Sequence, residues 1–423
     1  MSERAHPAAS GSHILSAEAP RVIAWEVTRS CNLACVHCRA SALHGPYEGE
    51  LTTSEAFTLI DQIAELGSPI LILTGGEPLL RADIWEIAER GVAAGLRVVM
   101  APNGTLVTPE VGRKLADVGI KRISVSIDFP NAAEHDAFRG VPGAFEGALA
   151  GVRNAIAAGV EVQINSTITK ANVQYLPDLL ALAERIGAVS FHPFMLVPTG
   201  RGKELEEQEL PPEEYERALN WMYDAQRSSA LFLKPTDVPH YWRVMRQRAK
   251  QDGTKLQVHP HAHGGMNTLS RGCLAGVGFC FISHRGEVQP CGYFDKVAGD
   301  VRQMAFPAIW RTSPLFLTLR DLDKLKGKCG ACEYRRVCGG CRARAYEVTG
   351  DYMAEEPYCV YVPEGWNGPA AAGARAAATT QAEPDASASV SDGAAPLGQP
   401  ASRSTDDDDL TSWGPLGCQP YDG

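Results

Sequence analysis

Cys31, Cys35 and Cys38 stand within eight residues in the spacing C-x3-C-x2-C. A closed thiolate site takes four ligands, and zinc sites of that kind come as paired C-x2-C elements, so the triple leaves one position unfilled. Three thiolates with a vacancy suit a four-iron cubane whose fourth iron stays open to a ligand that is not protein. Structural zinc or a plain thiol cluster is the competing reading. A second group holds eight more cysteines: Cys273-x6-Cys280-x10-Cys291, then Cys329-x2-Cys332-x5-Cys338-x2-Cys341, then Cys359. Eight is the number that fills two four-ligand clusters, and fully ligated clusters suit electron transfer or structure, since no iron is left open.

These residues need elements to position them. From Arg21 onward, β-branched runs alternate with helix-period segments, the pattern of β/α units around a parallel sheet. Strands are expected at Val22 to Thr28, Ile70 to Thr74, Arg97 to Ala101, Arg122 to Ile127, Val160 to Thr167 and Val189 to Met195. Helices are expected at Ser54 to Leu66, Asp83 to Ala94, Pro109 to Val118, Ala144 to Ala158, Tyr175 to Ile186 and Glu213 to Arg227. Gly67, Gly95, Gly119, Gly159 and Gly187 follow helices at the left-handed C-cap position. Six strand-helix units are too few for an eight-stranded barrel, so the fold expected is α/β, a partial (β/α)6 barrel. The triple then follows the first strand, at the end of the barrel where active sites lie. Thr74-Gly75-Gly76-Glu77-Pro78 follows the second strand, and Asn103-Gly104, Ser126 with Asp128, and Asn165 with Thr167 end the next three.

The expected organisation is a flexible N-terminus over 1–20, the barrel over 21–230, a connector over 231–272, a cysteine-rich iron-sulfur domain over 273–364 and a disordered low-complexity tail over 365–423, with Cys418 isolated in it. The cysteine-rich region is short of apolar periodicity, so metal is expected to supply part of its folding free energy. A formal net charge of -10 offers no sequence-wide field for a polyanion and argues against general nucleic-acid binding. No signal-like apolar run opens the chain, and no stretch of about 18 apolar residues suggests a membrane span. The reading is a soluble cytoplasmic protein, whose twelve cysteines point to metal rather than disulfides.

C-x3-C-x2-C after the first strand, with Gly75-Gly76-Glu77-Pro78 after the second, resembles the radical S-adenosylmethionine (SAM) superfamily. The resemblance implies that Cys31, Cys35 and Cys38 hold a 4Fe-4S cluster whose open iron binds the amine and carboxylate of SAM, and that an electron splits SAM into methionine and a 5′-deoxyadenosyl radical. It further implies cofactor contacts at Gly75, Gly76, Glu77, Pro78, Asn103, Ser126 and Asn165. The superfamily usually carries an aromatic residue before the third cysteine, where this chain has His37. The later cysteines resemble the SPASM extension, including Gly286 ahead of Cys291. That implies one or two auxiliary clusters, with Cys273, Cys280, Cys291 and Cys341 on one and Cys329, Cys332, Cys338 and Cys359 on the other. Spacing alone does not fix this partition.

Longer stretches carry a finer resemblance: Val22 to Cys31, Val99 to Thr105, His135 to Phe145, Leu196 to Gly202 and Cys280 to Phe294 are similar to SAM-dependent haem synthases. This branch implies oxidative decarboxylation of two propionates of iron-coproporphyrin III to vinyl groups, with an unidentified electron donor and acceptor. Sirohaem-derivative deacetylases, haem d1 enzymes and peptide maturases are the neighbouring alternatives. A flat ring with propionates calls for an apolar wall and Arg or Lys groups, for which Arg201 and Lys203 are candidates. His192 is the candidate near a reactive propionate or the iron, and His259-Pro-His-Ala-His263 is a further imidazole cluster.

Overall fold

Runs such as Val-Ile-Ala-Trp-Glu-Val-Thr, apolar on both faces but for one glutamate, form parallel strands covered by helices. The computed structural model of the chain describes residues 17–254 and 271–368. Strands β1 (Val22–Thr28), β2 (Ile70–Gly75), β3 (Arg97–Met100), β4 (Arg122–Ser126), β5 (Glu161–Ile168) and β6 (Ser190–Met195) lie side by side and parallel. Helices α1 (Thr53–Ala64), α2 (Ile84–Ala93), α3 (Pro109–Val118), α4 (Ala132–Arg139), α5 (Ala144–Ala157) and α6 (Leu176–Arg185) connect them. Thr52 and Glu55 close a capping box at the start of α1. The five glycines expected after helices all have positive φ, from 79° at Gly159 to 118° at Gly67.

The sheet extends beyond six strands at both edges. After β6, α7 (Pro212–Ser228) leads to the two-residue β7 (Phe232–Leu233), which pairs parallel with β6. Then comes α8 (Tyr241–Gln251), and residues past 270 lie at the opposite edge of the sheet. There β8 (Phe279–Ile282) pairs parallel with β1, from Val22↔Phe279 to Trp25↔Ile282. β9 (Glu287–Gln289) and β10 (Gly299–Asp300) continue antiparallel, giving one ten-stranded sheet in the order β10-β9-β8-β1-β2-β3-β4-β5-β6-β7. The cysteine-rich region is therefore hydrogen-bonded to the barrel's first strand. β7 is too short to show a period, and only its pairing with β6 defines it. Helices α9 (Phe306–Thr312), α10 (Pro314–Arg320), α11 (Gly327–Ala331) and α12 (Arg342–Thr349) complete the described chain.

Side chains on one face of the strands pack under the helices, where Ile23, Trp25, Val27, Leu71, Leu73 and Ile123 are fully buried. The opposite face lines a lumen. On β5 the alternation is complete: Val162, Ile164, Ser166 and Ile168 are buried, and Glu161, Gln163, Asn165 and Thr167 are partly accessible. Among the described residues no helix is long and apolar enough to cross a membrane.

Candidate active site

The loop after β1 carries the cysteine triple. Cys31 and Cys35 are buried, each 8% exposed, and Cys38 is partly so. Each sulfur accepts a hydrogen bond: Cys31 from the Leu33 N–H at 3.4 Å, Cys38 from the Ala42 N–H at 3.3 Å and Cys35 from the Arg139 guanidinium at 3.7 Å. Burial pushes the Cys31 thiol up to about 11, so an unmetallated triple keeps its protons and iron must supply the driving force for their release. Among the described residues no three His, Cys, Asp or Glu side chains converge as ligands of a single ion would. The thiolates of a cubane sit on separate irons and need no such convergence. Three sulfurs, two of them buried and each with a donor aimed at it, fit an iron-sulfur cluster, whose properties depend on such hydrogen bonds.

Helix α4, which has no counterpart among the expected elements, braces this loop. Ala34 and Val36 donate backbone hydrogen bonds to the carbonyls of Arg139 and Phe138 at 3.1 and 3.0 Å. The His37 ring stacks on Phe138 at 4.3 Å and 15°, so the imidazole fills the position where the family carries another aromatic. Gly140 closes the helix at φ 71°, and a Cβ there would lie 2.6 Å from the Ala34 carbonyl oxygen. Arg139 also forms an ion pair with Asp128 at 2.5 Å. The Asp128 carboxyl is held below its ordinary range: burial alone would raise it, and the Arg139 guanidinium outweighs that. Arg139→Met is expected to strand this carboxylate and destabilise the fold by about 3–5 kcal/mol. Urea unfolding of the purified protein measures the loss; a change within about 0.5 kcal/mol excludes the pair as a structural link.

Gly75, Gly76, Glu77 and Pro78 end β2 against the root of the cysteine loop. A Cβ on Gly76 would lie 2.3 Å from the Ser30 carbonyl oxygen and one on Gly75 2.4 Å from that of Thr28. The glycines therefore let two strand ends meet, and their N–H groups are partly spent there: Gly76 donates to Thr28 at 2.8 Å and Glu77 to Ser30 at 2.7 Å. The fully buried Glu77 carboxylate accepts N–H bonds from Leu79 at 3.1 Å and Asn103 at 2.6 Å. Burial pushes it up to about 7 against those two bonds. Asn103 in turn donates to Asn32 at 2.7 Å and accepts from Thr105 at 2.9 Å, tying the β3 end to the cysteine loop.

Ser126, Asn165 and His192 fall in one row across the lumen, because the register pairs Ser126 with Asn165 and Asn165 with His192. His192 is 9% exposed, its Nε2 has no hydrogen-bond partner among the described residues, and burial holds the ring neutral, well below its ordinary value. Asp128 and Thr167 are used structurally, with the Asp128 carboxylate accepting from the Thr167 N–H at 2.7 Å. The two cations expected near substrate both have protein partners. Arg201 donates to the carbonyls of Cys35 and Ala42 at 2.9 and 2.8 Å, which makes it a brace of the cysteine loop. Lys203 is 59% exposed and pairs with Glu347 at 3.6 Å. The cluster His259-Pro-His-Ala-His263 lies outside the described residues.

Of the later cysteines, Cys329, Cys332, Cys338 and Cys359 line one recess together with Arg243 and Lys328. Their sulfurs accept N–H bonds from Glu356, Tyr334 and Gly340 to Cys329, Cys332 and Cys338 at 3.3, 3.4 and 3.4 Å. That foursome matches the set implied by the resemblance. The other set does not come together whole. Cys273, Cys291 and Cys341 act electrostatically on one another, and the latter two accept N–H bonds from Tyr293 and Arg344 at 3.4 Å each. Cys280 is opposite Ile23 in β8, fully buried in the main core. Its neighbour Phe281 faces the lumen beneath the Arg39 guanidinium, 4.3 Å away, so strand alternation sends Cys280 to the helix side, where Arg320 is the charge acting on it. One residue of parity thus separates Cys280 from its expected partners.

Glu26, the single charge inside β1, is a lumen group that motif reading passes over. It is fully buried, accepts from Arg39 and pairs with His284, both at 2.8 Å, and these partners hold it down at about 2 against its burial. Its signal was a glutamate in an otherwise apolar strand. Arg344, also fully buried, donates to Glu209 at 2.8 Å and to the Asp237 and Leu196 carbonyls at 2.9 and 3.0 Å, joining the Cys341 helix to the ends of β6 and β7.

The profile of the radical SAM superfamily matches residues 25–183, and that of the SPASM iron-sulfur cluster-binding domain matches 273–341. The chain is 53% identical over 361 residues to the AdoMet-dependent heme synthase of Nitratidesulfovibrio vulgaris strain Hildenborough, covering 85% of this chain and 98% of that one. It is 53% identical over 350 residues to the AdoMet-dependent heme synthase of Methanosarcina barkeri strain Fusaro, covering 83% and 99%. Among solved structures, Streptococcus suis SuiB bound to S-adenosylmethionine superposes with a TM-score of 0.65 at 16% identity, covering 81% of this chain and 78% of that one.

Proposed function

Because the chain belongs to the radical SAM superfamily and carries a SPASM domain, we propose that it is a haem synthase that acts on iron-coproporphyrin III. The observation that carries this reading is the 53% identity to AdoMet-dependent heme synthases over nearly their whole length. A reduced four-iron cluster and SAM, when bound, supply a 5′-deoxyadenosyl radical. Conversion of each of two propionates to a vinyl group would release one β-hydrogen atom, carbon dioxide and one electron.

The chain's own residues divide this work. Cys31, Cys35 and Cys38 would hold the cluster, with Arg139, Arg201 and His37 fixing their loop. Gly75, Gly76, Glu77 and Pro78 would form the edge that receives the methionyl part, and Asn103, Ser126 and Asn165 would face the remainder. Neutral His192, in the row with Asn165, would stand on the substrate side. Cys329, Cys332, Cys338 and Cys359 would hold an auxiliary cluster able to take the departing electron, with Arg243 and Lys328 offsetting its negative charge. Cys273, Cys291 and Cys341 form a second, three-thiol group. Reduced cysteines of this density suit the cytoplasm.

Anaerobic reconstituted enzyme with reductant, SAM and iron-coproporphyrin III is expected to yield stepwise loss of two carbon dioxide units by mass spectrometry. No loss from that substrate, with conversion of a sirohaem derivative instead, moves the assignment to a deacetylase.

A further inference from the structure

The lumen row does not end at His192. Phe191 pairs with Leu233 across β6 and β7, and the Lys234 N–H continues the ladder to the Phe191 carbonyl at 3.0 Å, which sets Lys234 beside His192. Strand parity agrees. Phe232, two residues earlier and on the same face, meets the His192 ring edge to face at 6.1 Å. Ser126, Asn165, His192 and Lys234 therefore span four adjacent strands, and two strand spacings, about 10 Å, separate the Asn165 and Lys234 backbones.

The Lys234 side chain is exposed, and the protein crowded around its ammonium lowers its pKa, with Asp237 opposing. No carboxylate among the described residues lies within ion-pair distance, 4.0 Å, of its Nζ; the acid acting on it, Asp237, holds its Oδ2 buried without a hydrogen-bond partner. Arg39, by contrast, has its guanidinium committed to Glu26 at 2.8 Å. An ammonium crowded by protein and without an ion-pair partner among the described residues is unfavourable by itself and favourable beside an anion. The neighbouring rings of Phe232 and His192 give that anion's carrier an apolar, flat wall.

Resting on the haem-synthase reading, we propose that Lys234 is a substrate-binding residue: its ammonium receives a propionate carboxylate of the tetrapyrrole inside the barrel lumen, in the row that faces the cofactor. This role replaces the one expected of Arg201 and Lys203.

The test is anaerobic titration of cluster-loaded enzyme with iron-coproporphyrin III, followed at the Soret band, for the natural chain, Lys234→Met and Lys234→Arg. Lys234→Met is expected to raise Kd tenfold or more and Lys234→Arg by less than threefold, with iron content and cluster spectra retained. The tetramethyl ester of the same porphyrin, which lacks carboxylates, should bind the natural chain and Lys234→Met alike. If the natural chain binds the free acid and Lys234→Met binds it within twofold as well, or if the ester preserves the difference, the assignment is overturned. No binding by the natural chain overturns the haem-forming reading and this assignment with it. Should Lys234→Met lose its clusters, the natural chain and Lys234→Arg decide: equal affinity for free acid and ester in both overturns the role, and a tenfold preference for the free acid in both upholds it.

Discussion

Cys35→Ala is expected to abolish SAM cleavage and haem formation, by at least about a thousandfold, or about 4 kcal/mol in barrier terms. The reasons are local and additive in direction. Cys35 is the middle thiol of the triple and is buried at 8% exposure. The alanine chain has two thiolates where a four-iron cluster with one open iron needs three. Its loop stays pinned, since Arg201 bonds the Cys35 carbonyl at 2.9 Å and Ala34 bonds the Arg139 carbonyl at 3.1 Å, neither through the thiol. The protein should therefore fold and retain iron at the later cysteines. Iron per chain should fall by one cluster's content, and the electron paramagnetic resonance signal that responds to added SAM should vanish. Retention of that signal in Cys35→Ala overturns the assignment of the triple.

Cys332→Ser should separate radical formation from product formation. The residue belongs to the recess formed with Cys329, Cys338 and Cys359 and lies outside the lumen groups. Loss of one of four thiolates removes the auxiliary cluster, and with it the outlet for the electron released at each decarboxylation. SAM cleavage by reductant should continue at a comparable rate, and vinyl formation should fall at least about a hundredfold, about 2.7 kcal/mol. Cys280→Ala is the informative companion. Cys280 packs opposite Ile23 under the helices, so its loss should cost about 1 kcal/mol of stability through a small cavity and leave iron content unchanged. Unchanged product formation in Cys332→Ser rejects the electron-outlet idea. Loss of iron in Cys280→Ala rejects the partition read from strand parity.

Much of the barrel was legible because its signals are local. β1 spans Val22–Thr28 and α3 spans Pro109–Val118 with the expected boundaries, since an apolar run and a Pro-start with a Gly stop are both short local signals. Helix α4 was not read. Its eight residues stand between the loop 127–131 after β4 and the short turn 140–143 before α5, so two short periods merged into one expected connection. That omission hid Arg139 and Phe138, which hold the cysteine loop.

The roles of single polar residues were less legible. Arg201 and Lys203 stand two residues apart in the motif Leu196 to Gly202 and its flank, yet one braces a loop and the other forms an exposed ion pair with Glu347. Lys234 carries no motif at all. Its position became meaningful only through the register of β6 on β7.

The sequence by itself determined the cysteine triple, the glycine-rich turn after β2, the alternation of strands and helices, and hence the enzyme class, because each is a matter of residue type and short spacing. The tertiary structure decided which of the later cysteines lie together and which side chains share the lumen face. Both depend on which strands pair and in what register, and a shift of one residue in a strand sends a side chain to the opposite face. Cys280 and Lys234 are the two residues on which that parity turned: one was moved out of a proposed cluster, and the other into a proposed substrate site.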